Sequence, residues 1–144
     1  MSDQDNVRIV QDAYDAFKRG DIEGLLKLLA ADVEWTTPGP TEIMPAAGTR
    51  RGPEGVAEFF KTLSEQEDVE LFEPQEYIAQ GDKVVAISKY RGRVKATGRT
   101  ADADLVHVFD IKDGKVKRFR EFFDTASVLP AFETKSAAAT GSTP

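Results

Sequence analysis

The sequence predicts a single α+β domain, and three observations carry that expectation. Apolar residues recur at helical spacing in the first half, β-forming residues dominate the second, and 144 residues are enough for one core but not for two. Helices followed by strands is the α+β order, with a strongly twisted, curved sheet wrapping around the helices.

Val7, Val10, Ala13, Tyr14 and Phe17 fall on one helical face, and Gly20 follows as a C-cap. Asp21 caps a shorter second helix that turns Leu25, Leu28 and Leu29 to the core, and VEWTT (33–37) is a short strand. The run PGPTEIMPAAGTRRGP is too rich in proline and glycine for regular structure and is predicted as a rim loop. Pro53 suits a first helical turn and opens a third helix presenting Val56, Phe59, Phe60 and Leu63. Four strands follow, VELFEPQEYIAQ, KVVAISKYRGRV, RTADADLVHVFDI and KVKRFREFF, with turns at Gly81-Asp82 and Asp113-Gly114. With the early strand they form an antiparallel or mixed sheet. The domain spans 1–133, and the tail 134–144, poor in large apolar residues, is predicted to be disordered.

Composition removes several chemistries. There is no cysteine for a disulfide, thiolate nucleophile or thiolate zinc site, and a single histidine rules out a multi-histidine metal site. A net charge of −6 argues against a nucleic-acid surface. The N-terminus lacks a signal-peptide pattern and no apolar run spans a bilayer, so a cytoplasmic protein without a membrane partner is expected. The glycines are scattered at turns and form no phosphate loop, and no cofactor or metal is expected.

The stretch VKRFREFFD (116–124) carries the chemical signal. Strand alternation puts Phe119, Glu121 and Phe123 on one face and Arg118, Arg120 and Phe122 on the other. A carboxylate between two aromatics reads as a general acid or base in an apolar pocket, or as a buried carboxylate paired for structure alone. Lys89 and Arg91 share a face and are candidate partners for Glu121 or for a substrate group, unless that face is the outer one. His107, in LVHVF, is the second catalytic candidate; a lone strand histidine is more often a core or interface residue. Tyr14 shares its stripe with core residues, and Asp102 and Asp104 read as a solvated edge rather than a metal site.

Several strings, in their order along the chain, resemble the nuclear transport factor 2-like superfamily and its SnoaL-like, ketosteroid isomerase-related branch. These are AYDAFKRGD, LLAADVEW, RRGPEGVAEFF, GDKVVAISKYRGR and HVFDIKDGKVKRFREFFDTA, covering roughly residues 7–128. The resemblance implies a cone of three N-terminal helices on a curved sheet enclosing an apolar cavity, commonly dimeric through the sheet's outer face. The same fold hosts isomerases, cyclases, epoxide hydrolases and non-catalytic binders.

Residue by residue, the steroid isomerases' aspartate base corresponds to Thr37, their oxyanion tyrosine to Ala13 with Tyr14 one step away, and their protonated aspartate to a place near Val106. That pattern argues against a ketosteroid isomerase. The limonene-epoxide hydrolases' water-holding aspartate, tyrosine and asparagine correspond to Glu121, Trp35 and Thr37, and their arginine and second aspartate to Lys89 and Arg91. SnoaL-like cyclases use an acidic residue near the Glu121 position, often with a histidine one strand over, here His107. The reading that follows is a cofactor-independent acid/base enzyme on a small hydrophobic molecule, with Glu121 and His107 catalytic. Its substrate would be enclosed by Tyr14, Trp35, Thr37, Phe59, Phe60, Phe119 and Phe123 and contacted by Lys89 and Arg91. The alternative is a domain that binds a hydrophobic ligand or dimerises without catalysis.

Overall fold

A computed structural model describes residues 2–133, and the predicted disordered tail 134–144 lies outside the described residues. Helix α1 (Asp3–Lys18) begins at Ser2, whose side chain and that of Asp5 cap it reciprocally. It buries Ile9, Val10, Ala13, Tyr14 and Ala16, and Gly20 leaves it with φ +75°, a conformation that suits glycine. Asp21 caps the short α2 (Ile22–Leu26) by accepting from the Gly24 amide. Leu29, expected on this second helix, instead opens strand β1 (Leu29–Thr37), although it is still buried.

Two elements were not anticipated. Strand β2 (Gly48–Arg51) forms within the proline- and glycine-rich run and pairs with β1, Trp35 opposite Arg50. It is an edge strand of four residues with a polar face, so neither alternation nor burial marks it in the sequence. After α3 (Gly52–Gln66) come the long strands β3 (Glu67–Gln80), β4 (Lys83–Val94), β5 (Thr100–Lys112) and β6 (Lys115–Phe122). The chain then turns into α4 (Thr125–Phe132), capped by Asp124, the second unanticipated element.

The sheet order is β2-β1-β6-β5-β4-β3, six strands rather than five. All neighbours are antiparallel except β1 and β6, which run parallel with Trp35 opposite Phe119, so the sheet is mixed. Register breaks in β3 at Val69/Leu71 and Pro74/Glu76, and in the β5–β6 pairing at Asp110/Ile111, introduce bends of the kind that curl a sheet. Pro74, which has no amide to donate, is tolerated because β3 is an edge.

The helices α1, α2 and α3 pack into the concave side of the open, curved sheet, the arrangement expected from sequence. Val10, Val33, Val56, Val84, Phe109, Ile111 and Val116 are almost fully buried there. A smaller cluster of Met44, Ala47, Val94, Ala101, Val128 and Ala131 ties the 38–47 loop and α4 to the far end of β4 and β5. Helix α4 thereby covers one end of the sheet.

Candidate functional site

Alternation decides which strand residues enter the cone. On β4 the inward set is Val84, Ala86, Ser88, Tyr90, Gly92 and Val94; on β5 it includes Leu105, His107, Phe109 and Ile111; on β6 it includes Phe119 and Glu121. Register then places Glu121 beside His107, and His107 beside Ala86. The small Ala86 side chain leaves the imidazole free to meet α1.

There His107 is buried, 5 % exposed, between two oxygen partners. The Tyr14 hydroxyl lies 2.7 Å from Nδ1, and Glu121 Oε2 lies 2.8 Å from Nε2. Burial above all, helped by neighbouring Tyr77 and Glu121, pushes the Tyr14 hydroxyl far above its ordinary range, so it keeps its proton. With the hydroxyl as donor to Nδ1, the ring proton sits on Nε2 and is donated to Glu121 Oε2. Glu121 is thus held by one oxygen while its other oxygen has no hydrogen-bond partner among the described residues. Phe72, Phe109 and Phe119 surround the Tyr14–His107 pair, with centroid separations of 4.9 Å for Tyr14–Phe72 and 4.7 Å for His107–Phe119.

Two adjoining cavities open beside this chain of contacts. The inner one, about 70 Å³, is walled by rings, among them Tyr14, Trp35, Phe59, Phe60, His107 and Phe119. The outer one, about 80 Å³, has Thr37, Phe59, Glu67, Glu121, Phe123 and α4's Val128 in its wall. They share Phe59, Leu63, Tyr90 and Leu105. Trp35 stacks on Phe119 at 3.8 Å, and its indole N–H, buried in the inner wall, has no hydrogen-bond partner among the described residues. Thr37 lines the outer cavity, but its hydroxyl donates to the Ala46 carbonyl at 2.8 Å, so it fastens the 38–47 loop.

Nine of the eleven site residues named from sequence therefore meet in one place: Tyr14, Trp35, Thr37, Phe59, Phe60, His107, Phe119, Glu121 and Phe123. Lys89 and Arg91 do not, and their expected place at the substrate is corrected. Both are on the outer sheet face, where Lys89 pairs with Asp104 at 3.4 Å and Arg91 with Asp102 at 2.8 Å. The reason is parity: with Ala86 and Ser88 turned inward, the odd-numbered residues of β4 must turn out. Asp102 and Asp104, expected as a solvated edge, are these cations' cross-strand partners. Sequence reasoning passed over Glu67 and Tyr90, whose hydroxyl donates to Glu67 Oε1 at 2.6 Å. Tyr90 was within reach of the same parity argument, since it is flanked by Lys89 and Arg91, whereas Glu67 sits at a helix-to-strand junction with no periodic signal.

Comparison with known proteins agrees with this fold. The SnoaL-like domain family model matches residues 10–119. A crystal structure of an NTF2-like protein from Burkholderia xenovorans LB400 is 40% identical, covering 92% of this chain and 99% of that one, with a TM-score of 0.84. TerC, crystallised with polyporic acid, is 32% identical over 85% of this chain and 93% of its own, with a TM-score of 0.76. An uncharacterized protein of Mycobacterium tuberculosis strain H37Rv is 25% identical over 132 residues, 92% of this chain and 98% of the relative. With the matched segment running from α1 to Phe119 on β6, the chain belongs to the SnoaL-like family of the NTF2-like fold.

Proposed function

We propose that the protein is a cofactor-independent enzyme that moves a proton on a small, neutral, hydrophobic molecule, with Glu121 as the base. The observation that carries this reading is the hydrogen-bonded series Tyr14, His107, Glu121 ending at a carboxylate in the wall of an apolar cavity. Tyr14 and His107 orient the carboxylate, and the free oxygen of Glu121 takes the proton. The unpartnered Trp35 indole N–H offers an anchor for a substrate oxygen, because a buried donor without an acceptor costs about 1–3 kcal/mol that a ligand would recover. No lysine or arginine lines either cavity among the described residues, which disfavours a substrate with an anionic group in it. Co-crystallisation of TerC with polyporic acid supports a cavity made for a small organic molecule.

The test is proton exchange. Neutral cyclic ketones incubated with the protein in D₂O are followed by proton NMR, and loss of the signal of the hydrogens beside the carbonyl, faster than in buffer, is the expected result. Ketones and epoxides that bind, yet are neither exchanged nor opened, would turn the reading to a ligand-binding domain.

We also infer a homodimer through the outer sheet face. Ile78, Val85, Val108 and, one row over, Ile87, Val106 and Phe122 are cross-strand neighbours there, with Ile78 55% and Phe122 49% exposed. An apolar strip of this kind, edged by ion pairs such as Lys83–Asp110 and Lys89–Asp104, suits a second copy of the same face. Phe122→Glu is expected to convert a dimer to a monomer in sedimentation velocity; an unchanged sedimentation coefficient would remove this face from the interface.

A further inference from the structure

Glu67 is the one carboxylate besides Glu121 in the wall of the outer cavity, and three observations set it apart from a surface acid. Its Oε1 accepts from the Tyr90 hydroxyl at 2.6 Å, and Tyr90 lies in the wall of both cavities. Room for that pair is made by Gly92: a Cβ there would stand 2.4 Å from Glu67 Oε1 and 2.6 Å from the Tyr90 hydroxyl oxygen. The glycine has no positive φ, so it serves close approach and not a turn. Third, no cation is paired with Glu67 among the described residues, whereas most carboxylates on the outer sheet face have one.

We propose that Glu67, positioned by Tyr90 in the space left by Gly92, is the second catalytic group of the cavity, the acid that protonates the oxygen of a neutral carbonyl substrate while Glu121 removes the neighbouring carbon-bound hydrogen. The inference deepens the acid/base reading above and rests on it. In the step, Glu121 takes the proton from the carbon next to the carbonyl, and the C–H electron pair becomes the C=C bond. The carbonyl π pair takes the proton from Glu67, giving a neutral enol with Glu121 protonated and Glu67 ionised. Return of the Glu121 proton to carbon and of the enol proton to Glu67 restores both groups. Return to the same carbon incorporates solvent hydrogen once the proton held by Glu121 has swapped with water; return to a conjugated carbon shifts a double bond.

The electrostatics favour this division of labour. Burial raises the Glu67 carboxyl above its usual range, the Glu121 charge adds to the rise, and the Tyr90 hydrogen bond opposes it. Two carboxyl groups in one cavity with unlike surroundings make a natural acid and base. Glu121 accepts from the imidazole N–H, and Glu67 is the carboxyl whose burial favours the protonated form.

The experiment uses the full chain, 2-indanone as probe, and the pH dependence of deuterium incorporation, together with a carboxyl-carbon NMR titration of Glu67. Expected is an exchange rate that falls on the alkaline side as Glu67 ionises. Glu67→Gln lowers the rate at least 30-fold at its optimum and abolishes that alkaline limb. Tyr90→Phe, which removes both the opposing hydrogen bond and the hold on Glu67, lowers the rate and moves the limb to higher pH in a protein whose fold is checked by circular dichroism. In the titration Glu67 ionises above the ordinary carboxylate range and moves down in Glu121→Gln, a readout that needs no turnover and stands even if 2-indanone is not a substrate. Glu67 titrating in the ordinary range, or Glu67→Gln keeping the rate and the alkaline limb, would overturn the assignment. Exchange that depends on Glu121 but not on Glu67 overturns the second acid while leaving the base in place; raised ionisation of Glu67 with no exchange by any ketone overturns the base reading and the carbonyl step with it.

Discussion

Glu121→Gln is expected to leave a folded protein whose proton-exchange rate falls at least 100-fold. The amide is the same size as the carboxyl, and its carbonyl oxygen can still accept from His107 Nε2–H, where Glu121 now does so at 2.8 Å. What the amide lacks is the ability to take a proton at neutral pH. General bases contribute about 100- to 10,000-fold, and the lower figure corresponds to about 2.7 kcal/mol of barrier. Circular dichroism and thermal melting of the variant establish that its fold is intact. A folded Glu121→Gln variant with wild-type exchange would sink the proposal that this carboxylate is the base, whatever Glu67 does.

Phe109→Ala is expected to cost about 3–5 kcal/mol of folding free energy, a large part of the roughly 5–15 kcal/mol that holds a domain of this kind together. Phe109 is 1% exposed, and its ring lies 5.2 Å from Phe119, 5.8 Å from Tyr14 and 6.2 Å from His107. Its ring neighbours Tyr14, His107 and Phe119 all belong to the candidate site, so their movement into the hole would disturb that site, and an unfilled hole adds a cavity term to the lost burial. Urea unfolding checks this: the midpoint should fall while the slope is unchanged. A cost below about 1.5 kcal/mol would show that the rings repack freely, against a pre-formed Tyr14–His107–Glu121 series.

The parts of this fold written in periodicity and caps were readable from the sequence. Tyr14 and Phe17 on one helical stripe, Asp21 as a cap and Pro53 in a first turn all act within a few residues of themselves. The strand β2 and helix α4 were not readable for the same reason in reverse. Gly48–Arg51 is a strand only because β1 lies beside it, and α4 is short, carries Pro130, and gains its stability by packing on the β4–β5 end. At the site, strand alternation correctly paired Phe119 with Glu121. Lys89 and Arg91 show its limit, since alternation says which residues share a face and only the tertiary contacts say which face is inside. Glu67 shows another, because a hydrogen bond across 23 residues and a glycine's missing methyl leave no local mark.

The parallel pairing of β1 with β6 has a consequence for how the molecule is made. Lys117 meets Asp32 across 85 residues and Lys115 meets the Lys27 carbonyl across 88, so the first strand has no central partner until nearly the whole domain has left the ribosome. Closing so long a loop is slow, and contacts of that range set the pace of folding. The helices and the β3–β4–β5 meander can form while the chain is still growing, but the stacked Trp35–Phe119 pair and Glu121 arrive with β6. Until then the rings of the cavity wall face water, and a nascent chain stalled before β6 is an exposed apolar surface of the kind that chaperones bind.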